Sequence, residues 1–344
     1  MAVRQHTSKH ERIADLPLVT ESATVVEVEA MDRDRTAEVR EAVDHWFEEA
    51  GLADRYESVS NYDDWRALVD ELHADGYHRF ARRCDTLRER FERPYPMLTR
   101  IELDPDDPFE FLAGQYVGLR YQGNSRAYSI ASSPTRDTVE ICVRRVPGGR
   151  LSPKLVADME VGDEVTMRGP RGDLVLNDRS ERDMVFLATG TGVAPMKGMI
   201  DYAFETGHDV FEAESREVWL FLGAGWEDDL PYHEDFLAYA EERDSFHYVP
   251  CLSRESYLTE WTGETDYVQH ALLKHVDEHC VRAGLSQRLE RWVERTPDSG
   301  EAARIDPANC EVYACGINAM VHSLVTASES VGVPDDCIDA EGFG

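Results

Sequence analysis

The sequence predicts a two-domain protein, in which an antiparallel β-barrel domain with a helical insertion precedes an α/β domain with a parallel sheet. Three observations support this fold class. Short strand-like segments separated by turn residues fill positions 96–176, a spacing typical of a small barrel. After Asp183, apolar strands alternate with helical patterns, as in parallel sheets covered on both faces. Between 35 and 94, apolar residues follow the period of a helix.

The N-terminal part of the chain divides into a polar segment, a strand and the insertion. We expect residues 1–22 to be loose, and ATVVEVEA (23–30) to form the first barrel strand. The barrel domain spans 23–178 and includes the helical insertion 35–94. The helical period is carried by Val39, Val43, Trp46 and Phe47, by Trp65, Leu68, Val69 and Leu72, and by Phe80, Cys84, Leu87 and Phe91. A stabilising cap is the favoured role of the insertion, and a docking module is the alternative.

The α/β domain spans 179–344. Its predicted strands are MVFLA, EVWLFLG, FHYVPCL and CEVYAC. A shorter helical addition is expected around residues 275–296, before the last of these strands. The strands predicted for the barrel after the insertion are MLTRIELD, QYVGLRY, RAYSIA, TVEICVRRV, DEVTMRG and DLVLN.

The chain of 344 residues is strongly acidic, with a net charge of −32, and only four of its 36 basic residues are lysine. This charge repels nucleic acid and anionic lipid, so we expect neither as a partner. Concentrated salt screens such self-repulsion. No secretory leader and no run of 18 apolar residues is visible, so the sequence predicts a protein of a salt-rich cytoplasm.

The seven cysteines are scattered and form no C-x-x-C pair. This pattern argues against a disulfide framework, a zinc site and a plant-type iron–sulfur cluster. We therefore predict no metal site.

The segment GNSRAYSIASSP (123–134) brings three polar side chains together. Arg126 and Tyr128 lie two apart, so they share one face of a strand, and a bend could turn Ser129 toward the same ligand. A planar ring with a phosphate tail would suit a guanidinium and a phenol. The alternative is an edge strand with a surface arginine.

A second motif, PGGRLSPKL, follows in the barrel. Gly148 and Gly149 allow a ligand to approach the backbone, and Ser152 is placed to cap a helix whose free N–H groups bind a pyrophosphate. The alternative is an ordinary glycine turn before a capped helix.

A third motif, FLATGTGVAPMKGMI, opens the α/β domain. Thr189, Gly190, Thr191 and Gly192 follow a strand, and Pro195 is expected at the first helical position. Such a turn can lie beneath a dinucleotide pyrophosphate, although proline stands where the third glycine of G-x-G-x-x-G belongs.

Two further motifs lie near the C-terminus. In VYACGINAM, Cys315 and Gly316 are expected at the carboxyl end of a strand, where open parallel sheets bind ligands. A buried structural cysteine is the alternative. In DAEGFG, Glu341 and Phe343 precede the last glycine, and a frayed tail is the alternative.

In this order the five motifs resemble those of the ferredoxin–NADP reductase superfamily: RAYS as its flavin motif R-x-Y-S, GGRLSPKL as its flavin-phosphate segment, GTGVAP as its nicotinamide-nucleotide turn and CG near the end. The segments GRLSPKL, LATGTG, LSRES and CGINAMV are especially similar to the bacterial ferredoxin/flavodoxin reductases. The resemblance covers roughly residues 96–344, and 23–30 supplies the first barrel strand. It implies a Rossmann-like nucleotide domain.

The resemblance also implies cofactors and residue roles. FAD would be held by Arg126 at the pyrophosphate, Tyr128 against the flavin and Ser129 near N5. The implied chemistry is hydride transfer from NADPH or NADH to flavin N5, with one-electron steps to a separate carrier, ferredoxin or flavodoxin. The remaining implied site residues are Gly149, Leu151 and Ser152 at the flavin phosphate; Thr189, Gly190, Thr191, Gly192, Pro195 and Gly316 at the nucleotide; Cys315 at the nicotinamide; Glu341 as a proton relay; and Phe343 stacked on the flavin.

The choice between NADPH and NADH depends on two opposing features. Ser253, Arg254 and Tyr267 match family positions that grip the 2′-phosphate, whereas the acidic run 227–229 would repel it. NADPH is slightly favoured. Alternative functions are the reductase component of an oxygenase, a diaphorase, and a flavin-binding electron-transfer subunit without enzymatic activity.

Overall fold

The computed structural model describes residues 12, 13, 16–56, 62–91 and 93–343. The barrel strands are β1 (Val19–Ala30), β2 (Leu98–Pro105), β3 (Tyr116–Tyr121), β4 (Asn124–Ser129), β5 (Val139–Arg144) and β6 (Glu164–Arg171). They form one antiparallel sheet in the order β4-β3-β6-β1-β2-β5. A bridge between Ile130 and Ile141 joins the two ends of this sheet, which is therefore a nearly closed barrel.

The first strand begins earlier than the sequence predicts. β1 starts at Val19 rather than at residue 23, and Val19 pairs with Gly169 of β6. Residues 19–22 are thus part of the barrel and not a loose segment, because β6 supplies a pairing partner that lies far away in the sequence. The predicted loose residues 1–11, 14 and 15 lie outside the described residues.

The helical insertion leaves and rejoins the barrel at neighbouring points. Its helices are α1 (Thr36–Glu49), α2 (Ala53–Tyr56), α3 (Tyr62–Ala74) and α4 (His78–Phe91). The N–H of Met31 donates to the carbonyl of Leu98 at 2.9 Å. The buried Asp32 carboxylate accepts from the backbone N–H groups of Met97 and Leu98 at 2.9–3.1 Å. One carboxylate therefore binds together both ends of the insertion.

The insertion has an apolar core of its own. The helical faces predicted from the sequence are buried in it, with Phe47 edge-to-face against Phe80 at 4.9 Å between ring centroids. The side chain of Phe91 lies outside the described residues. Trp226, from the α/β domain, completes this core. The insertion therefore packs across the domain boundary rather than only against the barrel.

The α/β domain contains the second large sheet. The barrel domain also contains helix α5 (Ser152–Ala157). The elements of the α/β domain are β7 (Asp183–Thr189), α6 (Val193–Thr206), β8 (Val210–Phe211), β9 (Glu214–Ser215), β10 (Val218–Ala224), α7 (His233–Glu242), β11 (Phe246–Leu252), α8 (Val268–His275), α9 (Gln287–Val293), β12 (Cys310–Ile317), α10 (Asn318–Val331) and β13 (Ile338–Phe343). The five longer strands are parallel, in the order β11-β10-β7-β12-β13.

Both faces of this parallel sheet are buried. Along β7, Met184 and Phe186 pack into one apolar cluster, whereas Val185 and Leu187 pack into a second one on the opposite face. Strands buried on both sides are near-continuous apolar runs, which is why the sequence predicted them without alternation. The predicted fold class is confirmed.

No helix among the residues described here combines the length and the apolar character needed to cross a bilayer.

The acidic composition leads to a prediction about salt. We expect the melting temperature to rise by several degrees between dilute buffer and 2 M KCl, because screening reduces the repulsion among charges that sum to −32. A gain of about 1 kcal/mol moves the melting temperature of such domains by about 2–4 °C. Calorimetry measures the shift, and sucrose of equal osmolality is the control. Equal melting temperatures in dilute buffer and in 2 M KCl would contradict the prediction.

Candidate active site

The flavin motif occupies an edge of the barrel sheet. Arg126 and Tyr128 of β4 lie opposite Leu119 and Val117 of β3, so they share the face that carries the apolar barrel core. Arg126 is nevertheless exposed and Tyr128 is half-buried, because β4 is the last strand on this side. The two side chains line an open edge of the barrel. Ser129 follows them, half-buried and paired with Tyr116.

The charges at this edge suit an anionic ligand. The Arg126 guanidinium donates to the carbonyl of Ser125 at 2.8 Å, and no carboxylate of the described residues pairs with it. Burial raises the pKa of the Tyr128 phenol to about 12, although the positive charge of Arg126 opposes the shift. The phenol is therefore a neutral hydrogen-bond donor at physiological pH. A cation next to a half-buried phenol fits a ring system with a phosphate tail.

The glycine turn of PGGRLSPKL differs in detail from the prediction. The N–H of Gly149 donates to the carbonyl of Val146 at 2.9 Å, and a Cβ on Gly149 would lie 2.9 Å from that same oxygen. The Ser152 hydroxyl accepts from the N–H of Val146 at 3.0 Å. Ser152 therefore holds the turn and does not cap α5, whose N-cap is Leu151.

The side chain of Leu151 does not face the predicted phosphate site. Its side chain is buried in the barrel core beside Leu155. Only the backbone of Leu151 is left to contact a flavin phosphate. The sequence could not distinguish these cases, because a leucine after a glycine turn fits both.

The nucleotide motif forms a tight turn at the carboxyl end of β7. Thr189 ends the strand, and Gly190–Gly192 make a single helical turn in which Gly190 has φ = +50°. A Cβ on Gly192 would lie 2.5 Å from the carbonyl oxygen of Cys315. Only glycine lets the turn pack this closely on the neighbouring strand β12. Thr191 is half-buried within the turn.

Pro195 is the third residue of α6, not the first as predicted. The helix begins at Val193 because Gly192 already has helical dihedral angles. The first N–H groups of a helix have no intrahelical acceptor, so a proline is tolerated anywhere in this turn. The prediction failed because the two glycines concealed where the helix starts.

Cys315 lies at the carboxyl end of β12, between Ala188 of β7 and Glu341 of β13. Its side chain has 0% exposure, in agreement with the alternative of a buried cysteine. Burial, and secondarily the Glu341 carboxylate, raises the pKa of the thiol to about 12. The sulfur is therefore a neutral packing surface at this edge and not a nucleophile. The next residue, Gly316, would place a Cβ 2.7 Å from Oγ1 of Thr189.

Glu341 lies at the seam between the two domains. A Cβ on Gly172 would lie 3.0 Å from the Tyr116 ring and 3.7 Å from Oε1 of Glu341, so these residues are neighbours. Tyr116 pairs with Ser129 in the barrel sheet. Burial, with the nearby Asp173 carboxylate, raises the pKa of Glu341. The structure thus brings the flavin strand, Glu341 and, through β12, Cys315 to one seam.

Phe343 ends β13 and is 41% exposed, beside the exposed Ile317 of β12. It belongs to a paired strand, so the alternative of a frayed tail is wrong. Gly342 anchors the segment, because a Cβ there would lie 2.3 Å from Oδ1 of Asn318. A large aromatic ring is therefore held at an exposed sheet edge.

This position leads to a prediction. Replacing Phe343 by serine is expected to tighten nucleotide binding by about 2- to 10-fold, because a ring that competes with the nicotinamide is worth roughly 0.5–1.5 kcal/mol. A nucleotide titration of the flavin absorption spectrum measures the effect. Leu237→Ser, at an exposed apolar residue of α7, is the control. Unchanged binding constants and spectra would exclude the stacking role.

The three residues predicted at a 2′-phosphate lie after strand ends. The N–H of Ser253 donates to the carbonyl of Ala224 at 3.1 Å, and that of Arg254 donates to Gly225 at 2.9 Å. Both side chains are exposed. Tyr267 is exposed at the start of α8. These backbone bonds hold the loop after β11 against the loop after β10.

The acidic run after β10 is largely buried and ion-paired. Asp228 and Asp229 are buried, and Arg90 of the insertion donates to both oxygens of Asp228 at 2.7 Å. Arg93 lies 2.6 Å from Asp229. Only Glu227 keeps a half-exposed carboxylate. Arginines distant in sequence thus neutralise two of the three charges from which repulsion of a 2′-phosphate was predicted.

These arginines also line a cavity that the sequence analysis missed. The cavity has a volume of about 520 Å³ and lies between the insertion, the barrel and the loops after β10 and β11. Its basic lining residues are Arg90, Arg93, Arg144 and Arg254. The only signal for it in the sequence is the arginine-rich run RERFER (88–93), which the sequence analysis used only for its helical apolar period.

A cluster of three carboxylates lies elsewhere in the α/β domain. Glu264, Asp266 and Asp298 surround the ammonium group of Lys274 at 2.8, 2.7 and 2.7 Å. Burial alone would lower the pKa of Lys274, but the three carboxylates raise it. The lysine occupies the place that a metal ion would need.

Two known domain families match this chain. An oxidoreductase FAD-binding domain matches residues 96–176, and an oxidoreductase NAD-binding domain matches residues 186–326. The chain belongs to the ferredoxin–NADP reductase superfamily. The matches to an FAD-binding and an NAD-binding domain confirm the predicted cofactors, FAD and NAD(P)H. The residues present fit the superfamily's flavin, because β4 offers an open edge with an exposed guanidinium that pairs with no carboxylate among the described residues, and the turn at Gly149 has no room for a side chain.

Relatives within the superfamily include reductase components. The chain is 34% identical over 185 residues to the phenol 2-monooxygenase reductase component DmpP of Pseudomonas sp. (strain CF600), which covers 53% of this chain and 51% of that protein. The chain spans about half the length of the first curated relatives that it matches.

Two solved structures share the fold. The Amycolatopsis cytochrome P450 reductase GcoB gives a TM-score of 0.62 at 24% identity, over 95% of this chain and 70% of that one. A ferredoxin NADP⁺ reductase from Neisseria gonorrhoeae, with bound FAD and NADP, gives 0.54 at 21% identity, over 72% and 93%.

Proposed function

We propose that this protein is a flavin-dependent reductase that takes electrons from NAD(P)H and delivers them one at a time to a separate redox protein, with ferredoxin as the expected carrier. One observation carries the proposal. The flavin strand β4 and the nucleotide turn after β7 lie at the same domain seam, where Glu341 is a neighbour of Tyr116 and of Cys315. Two ligands bound at these places would meet.

Bound FAD supplies the conversion between two-electron chemistry with NAD(P)H and one-electron chemistry with a carrier. The chain's own residues orient the ligands. Arg126 would bind the pyrophosphate and Tyr128 would lie against the flavin, while Ser129 would donate a hydrogen bond near N5. Glu341, whose pKa burial raises, can hold a proton at the seam. The neutral Cys315 thiol is buried beneath the edge at which the nicotinamide would bind.

The acceptor is proposed to be a separate molecule. In the part of the chain that the structure describes, the only three potential metal ligands close enough to share an ion are those around Lys274, and none of these is a cysteine. The described cysteines are all free and mostly buried. Among the described residues, no three cysteines lie close enough to one another to share an ion.

The reductase component of an oxygenase is a second candidate. The reductase components of phenol 2-monooxygenase and of propane 2-monooxygenase, the latter from Rhodococcus jostii (strain RHA1) and 29% identical over 265 residues, favour it. The two candidates share the same site and differ in the protein that receives the electrons.

Absorption spectroscopy tests the proposal. The purified protein, reconstituted with FAD in concentrated KCl, should bleach near 450 nm when NADPH or NADH is added without oxygen. Flavin released by acid should be FAD and not FMN. Transfer to ferredoxins and to oxygenase components then distinguishes the two candidates. A flavin that neither nucleotide reduces would refute the reductase and favour a binding subunit, whereas reduction only of quinones or dyes would indicate a diaphorase.

NADPH is proposed as the preferred nucleotide. Ser253, Arg254 and Tyr267 are exposed at the carboxyl edge of the sheet, as a 2′-phosphate site requires. The buried state of Asp228 and Asp229 removes the main argument against NADPH.

A further inference from the structure

The insertion contacts the α/β domain at the two loops expected to receive the nucleotide's adenosine end. Trp226, in the loop after β10, is buried in the core of the insertion. The guanidinium of Arg90 lies over the Trp226 ring, 4.9 Å from its centroid. The loop after β10 is therefore packed against α4 and is not a free surface loop.

A second contact reaches the loop after β11. Arg35 donates to both carboxylate oxygens of Glu255 at 2.8 and 3.0 Å. Glu255 has 0% exposure and also accepts from the N–H of Glu227 at 2.7 Å. Because Glu255 directly follows Arg254, the insertion fixes the backbone that presents the Arg254 side chain.

The buried carboxylates at this junction are paired with arginines. Asp228 is bound by Arg90, and Asp229 by Arg93 at 2.6 Å and by Arg144 at 3.2 Å. The buried carboxylates of Asp32, Asp228, Asp229 and Glu255 are paired with Arg35, Arg90, Arg93 and Arg144, and Arg35 also pairs with Glu38 at 2.7 Å. These arginines offset the charges of Asp228 and Asp229 in the loop after β10.

The cavity of about 520 Å³ opens at this junction. Arg90 and Arg93 of the insertion line it, as do Ser253 and Arg254 of the α/β domain. Asp229 also belongs to the lining. Arg144 lines the barrel side. Arg254, whose side chain is exposed, offers a guanidinium to the phosphate of a nucleoside in this cavity, since a guanidinium can bind phosphate in bidentate fashion. Arg90, Arg93 and Arg144 are instead paired with Asp228 and Asp229.

We propose that the helical insertion sets the nucleotide specificity of this protein, by neutralising Asp228 and Asp229 and by walling the cavity that takes the 2′-phosphate-bearing adenosine end of NADPH. The inference rests on the proposed function and adds a role for the insertion. Arg90 and Arg93 act through the aspartates and are positioning residues. Without them, Asp229 on the cavity lining and Asp228 buried next to it in the chain would keep uncompensated charges that repel a second phosphate.

The test compares binding of adenosine 2′,5′-bisphosphate and 5′-AMP to the FAD-loaded protein by calorimetry in constant KCl. The wild-type protein should prefer the bisphosphate. Arg90→Met leaves Asp228 without its main partner and should reduce this preference by about tenfold, the size of a like-charge repulsion across about 10 Å of protein. The double variant Arg90→Met/Asp228→Asn removes that charge and should restore the preference.

Two further variants keep the test decisive. Arg144→Met is at the cavity rim and half-exposed, so it tests the same repulsion through Asp229 if Arg90→Met does not fold. Arg83→Met is the matched control, because Arg83 stacks on Trp46 inside the insertion at 3.4 Å and has no role at the cavity. It should leave the preference unchanged.

The outcomes separate the two proposals. Equal weakening of both ligands in Arg90→Met and Arg144→Met, or no change in either, would overturn the specificity role. Loss of preference in Arg83→Met as well would show a merely structural effect and would also overturn it. The measurement needs no flavin reduction, so failure of the reductase proposal would appear separately, as a flavin that neither nucleotide bleaches.

Discussion

Replacing Arg35 by methionine is expected to lower the free energy of unfolding by about 3–5 kcal/mol, the usual cost of breaking a buried ion pair. The Arg35 side chain is 1% exposed, and its main partner, Glu255, is fully buried. Without the guanidinium, Glu255 would keep a charge in a place that water cannot reach. The loop after β11 would then either move outward or lose its bond to the N–H of Glu227.

Denaturant unfolding followed by tryptophan fluorescence measures this loss, because Trp46, Trp65 and Trp226 all lie in the core of the insertion. Arg55→Met is the matched control. The pair of Arg55 and Asp75 is exposed, so its loss should change the stability far less than the loss of the buried pair.

The double variant Arg35→Met/Glu255→Gln should recover part of the stability, since it removes the unpaired charge. A loss in Arg35→Met no larger than that of the Arg55 control would show that the network does not hold the two domains together.

Replacing Arg126 by alanine is expected to weaken FAD binding by about 10- to 100-fold. The loss corresponds to charge-assisted hydrogen bonds to a phosphate. Arg126 is exposed on the edge strand without a carboxylate partner among the described residues, so its removal breaks no ion pair within the protein. The effect should therefore appear in flavin affinity and not in the stability of the flavin-free protein.

Titration of the flavin-free protein with FAD, followed by quenching of flavin fluorescence, measures this change. Arg120→Ala is the matched control, because Arg120 is an exposed arginine on the adjacent strand β3. FMN lacks the pyrophosphate, so its affinity should fall less than that of FAD in Arg126→Ala. Equal effects of the two substitutions would exclude a specific phosphate contact.

Local patterns were sufficient to predict most of the fold. The 3.6-residue period that includes Val39 and Val43 places these residues inside the insertion, and the apolar run from Met184 to Ala188 is buried on both faces. Such patterns report which side of an element meets other protein atoms. They hold because burial of apolar area dominates packing.

The features that sequence could not provide depend on contacts between distant segments. Arg90 and Asp228 are 138 positions apart, and nothing near either residue indicates that they meet. An acidic run in isolation resembles a solvated surface, so its neutralisation was not foreseeable. The errors at Ser152 and Pro195 have a different origin, because a helix start is shared among several residues with similar preferences.

The insertion is structurally separable from the barrel, because it joins two strands that pair directly with each other. β1 and β2 are adjacent antiparallel strands, a pair that a tight hairpin could join, and Met31 still bonds to Leu98 across the base. Loop-closure entropy grows only logarithmically, by about 0.6 kcal/mol per doubling of length, so even this long excursion costs the barrel little. The barrel therefore does not need the insertion to connect β1 with β2. Excising it through a short turn would keep the barrel register. It would, however, uncover Trp226, remove the arginine partners of the buried Asp228 and leave Asp229 only Arg144. The insertion is therefore dispensable to the barrel and integral to the α/β domain.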